Sequence, residues 1–342
     1  MLQKEIMKPQ NLLDESGNLT ISGWSREPVL EYDRTDVKKP FLRVKEWDHY
    51  VVYNDQYALA MAVAEYGYFS RATAMLLDFR GEARCYVKSK MKLLSLGRLN
   101  MPNSTRAGDT NYDDRRLGMK FSRSSNQRFI KSEFMSFHDG KLLNISITLD
   151  NPDVNTIAVS SEIPEKAGAF AYCQKDIGMA ASGFVKFGGE EFNFSEDNSY
   201  CCLDWGRGVL PQENRWFWST LSTKIDGKFF GLNFGSGLGD TSQGSENALF
   251  YDGELHKLSA LAVQAPQNPM EQPWKFFTKD KKLQLTFTPF LNGEKKKNFL
   301  GFRMEQKLLF GHFNGRVKLE GGPELRIQDV LGFTHWVNDY LP

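Results

Sequence analysis

The stretch Phe137-His138-Asp139-Gly140-Lys141-Leu142-Leu143-Asn144-Ile145-Ser146-Ile147-Thr148-Leu149 decides the fold class. Leu143, Ile145, Ile147 and Leu149 alternate with Asn144, Ser146 and Thr148. A period of two sends one set to a buried face and the other to a wet one, the mark of a half-buried strand. The Asp139-Gly140 step just before it accepts the positive φ angles of a type I′ turn, so the strand is entered through a hairpin. Both signals recur. Leu283, Leu285 and Phe287 alternate with Gln284, Thr286 and Thr288, and Asp226-Gly227, Asp252-Gly253, Asn292-Gly293 and Asn314-Gly315 are further Asx-Gly steps. Helical periodicity is scarce. Residues 55–64 hold good helix formers, but Tyr50-Val51-Val52-Tyr53 before them and Tyr66-Gly67-Tyr68-Phe69 after them look like strands, so a hairpin competes with a helix there. Many strands, tight turns and almost no crossover helices predict an antiparallel all-β protein of sandwich or barrel type.

A chain of 342 residues suits two domains. Two echoes point to duplication. Residues 137–142 resemble Phe250-Tyr251-Asp252-Gly253-Glu254-Leu255, 113 positions later, and Gly97-Arg98 with Pro102 repeats as Gly206-Arg207 with Pro211, 109 positions later. Gly183, Gly188-Gly189 and the acidic run from Glu190 to Asp197 interrupt the strand pattern. The expected division is therefore 1–190 and 191–342. The 13% aromatic share favours strands and apolar cavities, though Phe also simply fills wide sheet cores.

A formal net charge of +1 argues against a nucleic-acid partner. The densest basic runs, Lys295-Lys296-Lys297 and Lys279 with Lys281-Lys282, read as solvated hairpin ends. No window approaches a membrane-spanning helix, and the start lacks the layout of a signal peptide, so a cytoplasmic location is expected. Cys85, Cys173, Cys201 and Cys202 contain no C-x-x-C pair and read as free thiols, with Cys201 and Cys202 on opposite strand faces. His49, His138, His256, His312 and His335 are scattered, and no metal or cofactor is signalled. The expected partner is a small molecule; the sequence does not choose between monomer and homodimer.

Function concentrates in Asp204-Trp205-Gly206-Arg207-Gly208-Val209-Leu210-Pro211 and the following Trp216-Phe217-Trp218. The glycines read as a sharp turn. Trp205 would desolvate Asp204, the setting of a general acid; alternatively Asp204 caps the turn or pairs with Arg207. Arg207 could clamp a carboxylate or phosphate, or form a buried ion pair between two barrels. Trp216 and Trp218 share one strand face, as a ligand wall or as barrel core. Glu213 could add a polar group. Lys45-Glu46-Trp47-Asp48-His49 is a second charged aromatic cluster, with Trp47 and His49 on one face and Glu46 and Asp48 on the other. Asn233, Gly235 to Gly239, Asp240, Glu246 and Asn247 form a polar glycine-rich loop, read as a mobile connection or a lid. It matches neither a P-loop nor a dinucleotide fingerprint, and no G-x-S-x-G elbow occurs.

Gly23-Trp24-Ser25-Arg26-Glu27-Pro28, Lys45-Glu46-Trp47-Asp48, the Asp204–Gly208 motif, Trp216-Phe217-Trp218, Glu246-Asn247-Ala248 and Phe310-Gly311-His312-Phe313-Asn314-Gly315 resemble the bacterial domain-of-unknown-function family numbered 2804. The resemblance runs from about residue 3 to the C-terminus and carries no settled activity. More distantly, the Trp-Gly step, the aromatic pair after it and the closing glycine motif are similar to paired lipocalin-like proteins, including carotenoid 1,2-hydratases, tocopherol cyclases and fungal Diels–Alderases. That resemblance implies two antiparallel β-barrels packed together, with a ligand in a barrel or at the junction. This chain departs from the hydratases in carrying Leu203-Asp204 where they tend to have His or Asn before the Trp-Gly step.

Three functions follow as expectations. One is cofactor-free, acid-assisted hydration, cyclisation or isomerisation of a lipid- or isoprenoid-like molecule, with Asp204 as proton donor and Arg207 and Glu246 beside it. The second is carriage of the same ligand unchanged. The third is carbohydrate chemistry with Asp204 and Glu246 or Glu213 as paired carboxylates. Trp205, Glu213, Trp216, Trp218, Asn233, Asp240, Asn247 and Trp47 are the candidate ligand-binding residues.

Overall fold

The computed structural model describes residues 3–150, 155–258, 260–299 and 301–341. It is 63% strand and 2% helix, folded as two curled antiparallel sheets that form paired lipocalin-like barrels. In the first sheet the Val44–Tyr53, Tyr57–Glu65, Phe69–Asp78 and Arg84–Leu93 strands run outward in chain order. On its other side Val44–Tyr53 pairs with Tyr200–Val209, followed by Phe170–Phe187, Lys141–Asp150 and the strands before them. The second sheet repeats this plan. Glu213–Ile225, Lys228–Ser236, Ala248–Tyr251 and Glu254–Lys257 run outward in order, and Glu213–Ile225 pairs on its other side with Glu324–Tyr340, the last strand. Each sheet is thus built on an up-and-down meander closed by pairing the meander's first strand with its last.

The Tyr200–Val209 strand, on the far side of the 190/191 division, pairs wholly within the first sheet. The chain enters the second sheet only at Glu213. Gly188-Gly189, with φ of 64° and 90°, makes a hairpin turn inside the first sheet.

Residues 55–64 resolve as a hairpin, not a helix. Leu59, Met61 and Val63 enter the core of the first barrel, while Ala58 and Ala60 enter a second core shared with the other barrel. Burial on both faces overrides helix propensity and explains why this strand reads as a continuous apolar run. The shared core also takes Val51, Tyr53, Met75 and Leu77 from the first barrel and Trp218, Phe310 and Phe333 from the second.

Asp139-Gly140, Asp226-Gly227 and Asp252-Gly253 form two-residue hairpins with positive φ at both positions. Asn292-Gly293 and Asn314-Gly315 do not turn; both lie inside long paired strands. Lys295 to Lys297 therefore sit on strand backbone rather than at a hairpin end, and their side chains lie outside the described residues. Lys279, Lys281 and Lys282 are exposed around the turn before Leu283, as expected. Cys201 and Cys202 face different cores, and Cys173, Cys201 and Cys202 are free thiols. No helix among the described residues is long and apolar enough to cross a membrane.

Candidate functional site between the barrels

The Asp204-to-Gly208 motif is the middle of a buried strand, not a turn. Its glycines serve close packing. A Cβ at Gly206 would stand 2.0 Å from the Trp47 ring, and one at Gly208 would stand 2.4 Å from the Phe170 carbonyl oxygen. Because the segment is extended, its side chains alternate. Trp205 and Arg207 turn into the first barrel, and Asp204 turns toward the second.

Inside the first barrel Arg207 is fully buried and its guanidinium is saturated. Nη1 donates to the carbonyls of Trp47 and Gly206, each at 2.9 Å, Nη2 to Asp48 Oδ1 at 3.0 Å and the Pro102 carbonyl at 2.9 Å, and Nε to Pro102 at 3.3 Å. Its Cζ lies 4.2 Å from the Trp205 ring centroid, and Glu46 is 3.8 Å from Nε. Glu46 also accepts from Tyr32 and pairs with Arg34. The guanidinium's donors are all engaged within the first barrel, so Arg207 is an internal ion-pair centre there rather than a clamp or an inter-barrel bridge.

On the other face Asp204 Oδ1 accepts from Lys175 Nζ at 2.6 Å, while Oδ2 is buried and has no hydrogen-bond partner among the described residues. Lys175 Nζ also stands 3.5 Å from Glu246 Oε2 and lies 4.9 Å and 5.9 Å from the ring centroids of Trp218 and Trp216. Burial alone would depress the Lys175 ammonium, but the charges of Asp204 and Glu246 outweigh it and hold its pKa above the ordinary lysine value. Burial pushes the Glu246 carboxyl up, and Lys175 pulls it back only in part.

Beside this pair the two barrels enclose a cavity of about 70 Å³, lined among others by Trp47, His49, Asp204, Trp216 and His335. Trp47 and Trp216 stack across the seam, with ring centroids 6.5 Å apart and planes 18° from parallel. His49 and His335 approach edge-on at 5.0 Å, each also against a tryptophan of the opposite barrel or its own. The volume falls well short of the roughly 300 Å³ of the smallest drug-type sites, so a ligand of more than a few atoms requires the walls to part. Trp216, only half-buried, is one such wall.

A family model described as a domain of unknown function, DUF2804, matches residues 3–339. The chain belongs to the DUF2804 family. Among curated proteins none matches it. Two solved structures are similar to this DUF2804 protein. A protein assigned as an AttH from Nitrosomonas europaea aligns at TM-score 0.50 and 11% identity, over 86% of this chain and 92% of the other. Kievitone hydratase from Nectria haematococca aligns at TM-score 0.51 and 13% identity, over 87% of this chain and 88% of that one. At such identities the likeness shows the lipocalin-like fold alone.

The remaining candidates divide. Trp47, Trp216 and Asp204 meet at the cavity. Trp218 is fully buried behind the lining residue His49, edge-on at 6.1 Å, and donates from Nε1 to Asn233 Oδ1 at 2.6 Å, and Asn233 in turn donates to the Glu246 carbonyl at 2.8 Å. Asn247 holds the Gly235 N–H at 2.9 Å. Glu213 and Asp240 are exposed, and Asp240 caps the Ser242 turn. The glycine-rich loop lies across the seam as a strap. It is tied to the first barrel by Asp240 N–H on the Glu162 carbonyl at 2.8 Å and by Lys4 N–H on the Gln243 carbonyl at 2.7 Å. In this DUF2804 protein, Lys175 and His335 are the site residues that sequence reading passed over. Gln174-Lys175-Asp176 carries no motif, and only strand parity could have flagged it. Among the described residues no cluster of His, Cys, Asp or Glu is placed to hold a metal.

Proposed function

We propose that the inter-barrel cavity binds a small, largely apolar molecule and that Asp204 moves a proton to or from one of its carbons. That step is common to cofactor-free hydration, cyclisation and isomerisation. The observation that carries the reading is the division of labour between the two Asp204 oxygens. Lys175 anchors Oδ1 at 2.6 Å, while buried Oδ2 is left without a donor in a residue that lines the cavity. A fixed oxygen with no donor is available to a ligand proton. The ion pair with Lys175 favours Asp204 as the initial acceptor, the reverse of the donor role expected from sequence. His49 and His335 stand within reach to return a proton. The Trp47 and Trp216 faces suit an electron-poor intermediate.

Carbohydrate chemistry is less well supported. Asp204 and Glu246 do converge, but on one ammonium, and Lys175 occupies the gap a glycosidic oxygen and its water would need.

The test starts from small molecules extracted from the natively purified protein and identified by mass spectrometry. Returned to the protein in heavy water, the ligand is expected to gain carbon-bound deuterium, and Asp204→Asn to slow this by about 100-fold or more. A ligand recovered undeuterated from the unmodified protein would make this a carrier, not a catalyst.

A further inference from the structure

The cavity has a second end, chemically unlike the first. Lys45 lies four residues before His49 on the same strand face, and Asp339 lies four residues beyond His335 on the facing strand. The two ends are thus roughly 13 Å apart along the strands. Around the second end stand Lys45, Tyr66, Arg71, Gln306 and Asp339.

Arg71 is 7% exposed and Lys45 is 3% exposed. The hydrogen bonds of both go to uncharged groups. Arg71 Nη2 donates to Gln306 Oε1 at 2.9 Å and to the Tyr66 hydroxyl at 3.4 Å, and Nη1 reaches Met304 Sδ at 3.6 Å. Lys45 Nζ donates to the Leu42 carbonyl at 3.0 Å and to the Tyr66 carbonyl. No carboxylate among the described residues lies within ion-pair distance of either. Two acids stand nearby. Asp339 accepts from Gln306 Nε2 at 2.7 Å and the Glu305 N–H at 3.1 Å, and Glu65 Oε1 accepts from the Gly67 N–H at 2.9 Å and from Ser95. A guanidinium carries five N–H donors and an ammonium three, so both cations keep donors to spare. Burial, with the Arg43 charge adding to it, pushes Lys45 down to about 8 despite Glu65. Two buried cations lacking a contact counter-ion are costly unless an anion joins them.

We propose that this end is a carboxylate-recognition subsite. The ligand is then an apolar carboxylic acid, gripped by Arg71 and Lys45, with its body running past Trp47 and Trp216 toward Asp204. This rests on the cavity being the ligand site, but not on proton transfer by Asp204.

Decanoate and decanol, each long enough extended to cover most of that span, are the probes. Binding is measured by calorimetry and tryptophan fluorescence. The unmodified protein is expected to prefer decanoate by about tenfold or more, and Arg71→Met to reduce the preference below about threefold. Arg71→Lys keeps charge without the planar fork and should fall between them. Both probes are saturated, so the preference reads binding alone, apart from any proton transfer by Asp204. Equal binding of acid and alcohol by the unmodified protein overturns the proposal. So does an undiminished preference in Arg71→Met, which would make Arg71 only a tie to Gln306 across the barrels. Binding of neither probe overturns the subsite together with the cavity as ligand site. If Arg71→Met does not fold, the unmodified protein and Arg71→Lys decide.

Discussion

At the residue scale, the decisive fact is that Lys175 and Asp204 are both nearly inaccessible and 2.6 Å apart. The Asp204 carboxylate could not stay buried without Lys175, whose ammonium also faces Glu246 at 3.5 Å. Lys175→Met is therefore expected to destabilise the protein by about 3–5 kcal/mol, read from urea unfolding. Adding Asp204→Leu to it should recover most of that loss, because the stranded carboxylate goes with it. A double variant no more stable than Lys175→Met alone would show that the pair is not the coupled unit described above. Asp204 was legible in the sequence as an acid beside tryptophan, but its partner was not. Lys175 lies on a neighbouring strand, 29 positions earlier, and only strand register brings it opposite.

At the scale of the element, the motif around Asp204 shows how glycine misleads. Gly206 and Gly208 suggest a bend, yet neither has a positive φ, and the strand runs straight through them. The glycines leave room for the Trp47 ring and the Phe170 carbonyl. Read as a strand, the same residues would have separated Asp204 from Trp205 and Arg207 at once, since neighbours in a strand face opposite ways. Gly206→Ala should drive its methyl into the Trp47 indole and cost about 1–3 kcal/mol. The near-ultraviolet circular dichroism of the stacked Trp47–Trp216 pair should change with it. Trp47→Leu should relieve part of that cost; an undiminished effect in the Trp47→Leu background would mean that the glycine serves something other than the ring.

At the scale of the whole molecule, the repeat is real in topology but not where the sequence echoes put it. Asp139-Gly140 joins strands on the returning arm of the first sheet, whereas Asp252-Gly253 joins strands on the outgoing arm of the second. The better correspondence is Trp47 with Trp216, 169 residues apart, each the fourth residue of the first strand of its meander. These two meet face to face at the seam. Because the first barrel presents Val51, Tyr53, Met75 and Leu77 to its neighbour, residues 1–211 expressed alone should expose a large apolar face. Such a fragment is expected to self-associate and bind a hydrophobic dye. A monodisperse, dye-silent monomer by light scattering would show that the barrels are independent.

What the sequence by itself determined is local. Period-two alternation sets which side chains share a face, and Asp-Gly steps accept positive φ, so the all-β class and three of the hairpins could be read directly. The resemblance of its motifs named the family and implied the paired barrels. Only the tertiary structure decided what lies across the seam. Register set Lys175 opposite Asp204, and packing of one barrel on the other brought His49 to His335 and Trp47 to Trp216. Those contacts join residues far apart in the chain, and no local preference encodes them. They form because the outer faces of two half-buried sheets are more stable against each other than against water.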